Sequence, residues 1–153
     1  MRAVPRPAAG DASPDAVELR LEIASVRAAI PKAVERILKA VEPVGLGSER
    51  LQDLAVALSE ALSNAAIHGN SLRPGSRVSV SVRITPRVRA VIEVKDEGPG
   101  FDHRHVGDPT EGARLLSTDG RGVFLMHRLV DKVEYEDGGS RVRLTVGKLP
   151  RAG

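Results

Sequence analysis

The chain has 153 residues, enough for one domain with a sizeable core, and its 41% hydrophobic and 28% charged residues fit a soluble globular protein. No apolar run approaches the roughly 18 residues of a membrane span, and the absence of cysteine excludes disulfides and thiolate metal sites and suits a cytoplasmic setting. The net charge is only +3, the basic residues are scattered, and 2% aromatic content leaves too few rings for a nucleic-acid stacking surface, so neither membrane nor nucleic acid is an expected partner.

Residues 1–15 are rich in proline and alanine and lack both periodicity and the apolar stretch of a signal peptide, so they read as a flexible tail. Val17–Ile23 alternates apolar and charged residues, which predicts a strand with one wet face. Val26, Ile30, Val34, Ile37 and Val41 then recur every three or four residues, the pattern of an amphipathic helix. Pro31 falls inside that pattern and predicts a kink or a new start; the unbroken apolar register favours a kinked but continuous helix. Pro43, Gly45 and Gly47 end it, and Ser48 is the expected N-cap of a second helix running to about Ile67.

Arg77–Ile84 and Val88–Lys95 alternate as strands around a Thr85-Pro86-Arg87 turn, a hairpin signal. From Asp96 to Gly122 there is little periodicity but much glycine, and a loop of that length inside a compact domain is usually functional. Helical spacing returns from Gly122 to about Asp131, and Lys132–Tyr135 and Arg141–Val146 read as a second hairpin around Asp137-Gly138-Gly139. The expected fold is α+β: a two-layer α/β sandwich with a mostly antiparallel sheet and three helices on one face, spanning residues 16–148 between the 1–15 tail and a short 149–153 tail.

Three places in this frame carry candidate chemistry. Glu60, Asn64 and His68 are spaced by four and climb one side of the second helix, away from the apolar side formed by Leu51, Leu54, Leu58, Ala61, Leu62 and Ala65. Val56 and Ile67 sit beside Glu60, so the helix is expected to be covered on two sides, with a carboxylate and a carboxamide facing the second covered region. The competing reading is a surface glutamate followed by an Asn-Gly helix end; spacing alone does not separate the two. Asp96 continues the buried row of Ile92 and Val94 and needs a hydrogen-bond donor, either the following loop or a ligand amine; Gly98 and Gly100 would let the backbone pass close to a flat ring. Gly120-Arg121-Gly122 opens a helix, where free N–H groups attract phosphate. His103 and His105 lack nearby cysteine and are not an expected metal pair, and His68 is an expected helix-end cation.

Taken together, Glu60-x-x-x-Asn64, Asp96-Glu97-Gly98-Pro99-Gly100-Phe101-Asp102 and Gly120-Arg121-Gly122 resemble the N box and the two glycine boxes of the GHKL ATPase superfamily. The closer resemblance is to the anti-sigma-factor serine/threonine-protein kinases, through Leu58–Ala65 with His68-Gly69 and through Gly120–Met126 with Val130–Val133. The resemblance implies a Bergerat fold binding ATP with Mg²⁺. It implies Asn64 on the metal, Asp96 on the adenine amine, Gly98 and Gly100 at the base, and Gly120, Arg121 and Gly122 along the phosphates. Residues 103–119 would form a lid, Ser140 would lie near adenine and Glu60 would be the general base. It further implies phosphorylation of an anti-anti-sigma factor (a STAS-type domain), binding of a sigma factor, a homodimer, and a partner surface on the first helix that includes Arg27. A non-catalytic ATP-binding anti-sigma module is the alternative. A histidine-kinase reading is not expected, because no helical hairpin with a phospho-acceptor histidine precedes the ATP boxes.

Overall fold

A computed structural model describes residues 2–3, 16–99 and 126–148. Strand β1 (Arg2–Ala3) is a two-residue ladder, followed by β2 (Ala16–Ala24), α1 (Ile30–Ala40), α2 (Ser48–Ser63), β3 (Arg77–Ile84), β4 (Arg89–Lys95), β5 (Lys132–Glu136) and β6 (Arg141–Gly147). The sheet order is β1-β2-β3-β4-β6-β5, and every pairing is antiparallel. Arg2–Ala3 departs from the expected tail: it pairs with Leu21 and Glu22, where β2 would otherwise present an open edge.

The alternation read from the sequence sets the two faces of the sheet. Leu21, Val80, Val94 and Val142 share one cross-strand row, Val82, Ile92 and Leu144 the next, and all seven are buried. Against them lie Ala33, Val34 and Ile37 of α1 and Leu54, Ala57, Leu58, Ala61 and Leu62 of α2, completing one core. The opposite face is charged: Arg141 and Arg143 both reach Glu93, at 2.9 and 3.4 Å, and Arg143 also reaches Glu136 at 2.9 Å.

Two helix starts differ from expectation. Pro31 does not kink a continuous helix: a 3₁₀ turn at Arg27–Ala29 comes first, and α1 begins at Ile30 with the proline in its first turn. Proline suits that position because its missing N–H has no helical partner there. Gly47, not Ser48, occupies the N-cap of α2. Of the third predicted helix, residues 126–129 are helical and the part before Met126 lies outside the described residues.

The order of the strands brings two distant segments together. The chain leaves β4 at Lys95, returns at the far edge as β5, and then inserts β6 beside β4. That insertion places the start of β6 against the end of β4, where the Asp96 N–H donates to the Ser140 carbonyl at 2.9 Å.

Candidate functional site

The α-helix stops at Ser63, but the helical path continues as a π-helix over Asn64–Gly69. The wider turn is seen in the Asn70 N–H, which donates to the Ala65 carbonyl five residues back at 2.8 Å. Asn64 opens this π segment and is buried at 8% exposure, whereas Glu60 is half-buried one turn earlier and His68 is exposed. Val56, expected to help cover Glu60, is 46% exposed, so the second side of the helix is open near its middle and closed only at its end.

A narrow cleft lies between this helix end and the sheet. Ala61, Asn64 and Ala65 form one wall; Asp96, Tyr135 and Ser140 form the other, with Met126 and Val142 also lining it. The structure thus brings Asn64, Asp96 and Ser140 into one cavity. The Asn64 amide nitrogen is buried and has no hydrogen-bond partner among the described residues. A buried donor left in that state is costly unless something else accepts from it. Asp96 is 4% exposed and accepts the Gly98 N–H at 2.8 Å through Oδ1. Burial pushes its carboxyl above the ordinary value, only partly offset by the Gly98 bond, and burial raises Glu60 in the same direction. Ser140 is committed to the turn: its hydroxyl donates to the Asp137 carbonyl at 3.0 Å, and its own carbonyl holds Asp96.

Gly98 is required by space. A Cβ on it would collide with the Gly69 carbonyl, and a Cβ on Gly69 would overlap the Asp96 carboxylate. Gly69 therefore shapes the floor under Asp96, a role masked in the sequence by its resemblance to an ordinary loop glycine. Asn70 likewise reads in the sequence only as loop. It is fully buried, and its side chain donates to Ser25 Oγ and the Arg77 carbonyl, both at 2.8 Å, while accepting the Glu97 N–H at 2.7 Å. The lone tyrosine of the chain, Tyr135, lines the cleft, and burial pushes its phenol well up. Gly100, Gly120, Arg121, Gly122, the 103–119 lid and His103 and His105 lie outside the described residues.

The donor set fits a purine nucleotide on chemical grounds. A buried carboxylate can accept from an exocyclic amine, Gly69 and Gly98 pack closely around it, and a carboxamide with an unpartnered N–H lies across the cleft. Among the described residues no cluster of three or more His, Cys, Asp or Glu could hold a metal by itself. No helix among them is long and apolar enough to cross a membrane.

The family description "Histidine kinase-like ATPase domain" matches residues 19–146. Serine-protein kinase RsbW of Listeria monocytogenes is 31% identical over 108 residues, covering 66% of this chain and 68% of the relative. RsbW of Bacillus pumilus is 33% identical over 110 residues, covering 67% and 68%. Among solved structures, the histidine kinase domain of an Erythrobacter litoralis blue-light activated histidine kinase superposes with TM-score 0.52 at 20% identity, over 78% of this chain and 61% of that one. A Mycobacterium tuberculosis structure of RsbU and RsbW domains superposes with TM-score 0.55 at 18% identity, over 88% of this chain and 34% of that one. These last two carry the fold alone. The profile match and the sequence relatives place the chain in the histidine kinase-like ATPase family, in its RsbW serine-protein kinase branch.

Proposed function

We propose that this protein is an ATP-dependent serine/threonine-protein kinase and anti-sigma factor of a partner-switching system, acting in the cytoplasm as a homodimer. Its substrate is a Ser or Thr hydroxyl on an anti-anti-sigma factor of the STAS type, and its second partner is a sigma factor. The catalytic unit is residues 16–148. The observation that carries this reading is the cleft where the buried Asp96 carboxylate and the unpartnered Asn64 amide lie on opposite walls, in a chain with RsbW relatives.

In this reading Asp96 receives the adenine amine, with Gly98 and Gly100 leaving room for the ring and Ser140 beside it. Asn64 would hold Mg²⁺ through its side-chain oxygen, since the metal needs few protein ligands when phosphates supply the others. Gly120, Arg121 and Gly122 follow the phosphates. When bound, ATP would supply the phosphoryl group and Mg²⁺ would offset part of the phosphate charge. Glu60 orients the attacking hydroxyl and takes its proton, and a carboxyl raised by burial is a stronger base once ionised. Arg27, just ahead of α1, belongs to the partner surface.

Transfer of labelled γ-phosphate to the cognate anti-anti-sigma factor tests the proposal. We expect transfer by the unaltered protein, a loss of at least about 100-fold in Glu60→Gln, and no transfer in Asn64→Ala. Tight ATP binding without transfer to any cognate partner would leave the non-catalytic module as the correct reading.

A further inference from the structure

Asn70 does not line the cleft, yet its side chain makes three hydrogen bonds beside it. It is 0% exposed and engages three segments: Ser25 at the end of β2, Arg77 at the start of β3, and the backbone of Glu97 immediately after Asp96. Ser76 Oγ donates to the same Ser25 hydroxyl at 2.9 Å and to the Arg73 carbonyl at 2.6 Å, closing a small buried network. The backbone around Asn70 is unusual on both sides. The π segment ends just before it, and Ser71 and Leu72 come next with φ of 53° and 52°, a left-handed conformation uncommon for side-chain-bearing residues. Such a path persists only where surrounding contacts over-determine it.

Asp96 is held from two directions that Asn70 controls. Its carboxylate rests on Gly69, the residue before Asn70, and its strand end continues into Glu97, whose N–H is bound by Asn70 Oδ1. A shift of Asn70 therefore moves both the floor beneath the carboxylate and the backbone that carries it.

We infer that Asn70 is a positioning residue for base selection, fixing the Asp96 carboxylate through the Glu97 amide and the Gly69 backbone so that adenine is distinguished from other purines. The inference rests on the cleft being a Mg-ATP site. It assigns discrimination to a side chain that, being fully buried behind the cleft, acts only through its neighbours.

The test is the ratio of ATP to ITP affinity, measured by calorimetry; ITP carries an oxygen where ATP carries the 6-amino group. The unaltered protein should prefer ATP. Asn70→Ala, which deletes all three bonds, and Asn70→Asp, which keeps the acceptor for Glu97 but loses both donations, should lower that preference. We expect a fall of roughly three- to tenfold with Asn70→Ala and a smaller one with Asn70→Asp. ITP affinity should stay nearly constant. A purely structural role would weaken both nucleotides together, and an unchanged ratio in a folded variant overturns the inference. A measurement without substitution stands beside it: the Glu97 N–H should exchange more slowly at saturating ATP than at saturating ITP, and equal exchange is again contrary. If the unaltered protein binds neither nucleotide, the nucleotide reading itself fails; if it binds both equally, the site takes nucleotide without reading the 6-amino group and the inference is overturned.

Discussion

At the scale of single residues, Asp96 shows how a site can be arranged against the stability of its own fold. Burial raises its carboxyl above the ordinary 3.8, so the folded protein binds the proton more tightly than the unfolded chain. The stability linked to this group is fully present below 3.8 and is lost as pH rises through the raised folded value. At neutral pH the charged form therefore opposes folding in the empty protein. Asp96→Asn removes the charge and keeps an oxygen for the Gly98 N–H. We expect unfolding in urea at pH 7 to show equal or slightly higher stability, by up to about 1 kcal/mol. Calorimetry should show at least about a tenfold loss of ATP affinity in the same variant. In the unaltered protein, ATP affinity should fall as acid protonates Asp96, within a window lying above 3.8, and Asp96→Asn should lack that limb. A flat profile in both proteins, or a variant that binds ATP normally, removes Asp96 from the base site.

At the scale of elements, α2 is anchored at its start by a group that residue spacing does not reveal. Arg50 donates through Nε to the Gly147 carbonyl at 2.9 Å and through Nη2 to Asp131 at 2.6 Å, while the other Asp131 oxygen accepts the Gly147 N–H at 2.8 Å. The pair is largely buried, at 19% and 6% exposure, so removing Arg50 takes a charged, doubly donating partner away from a buried carboxylate and from the end of β6. Arg50→Ala should cost about 2–4 kcal/mol in denaturant unfolding, and a loss below about 0.5 kcal/mol would show that the clamp is dispensable. Elements are legible in the sequence where a residue's partner is set by periodicity: Val80, Val82, Ile92 and Val94 alternate inward as their spacing requires. Legibility ends where the partner is distant in sequence. Asn70 meets Ser25 and Glu97, 45 and 27 residues away, and no local pattern announces either contact. Asn64 is legible through its spacing from Glu60, but the π-turn that it opens is not, because one residue of extra turn leaves no mark in the spacing of the side chains before it.

At the scale of the whole molecule, one helical rod carries two tasks at opposite ends: Arg50 locks its start to the end of β6, and Asn64–Gly69 builds one wall and the floor of the cleft. If the two ends are energetically separate, stability and ligand response must separate as well. A ligand that binds only the folded state adds RT ln(1 + [L]/Kd), about 2.7 kcal/mol at one hundred times Kd, irrespective of the stability of the empty protein. Urea unfolding with and without Mg-ATP, at one hundred times the Kd of the unaltered protein, should therefore give the same increment for that protein and for Arg50→Ala, although the latter starts from a lower baseline. Gly69→Ala should behave in the opposite sense, because its added Cβ overlaps the Asp96 carboxylate. A tenfold loss of affinity would shrink its increment to about 1.4 kcal/mol, and a larger loss would bring it towards zero. An increment that collapses in Arg50→Ala would mean that α2 transmits disturbance along its length and that its two ends form a single cooperative unit. A full increment in Gly69→Ala would mean that the Asp96 carboxylate can move aside without loss, and that its position in the empty protein is not the one that binds.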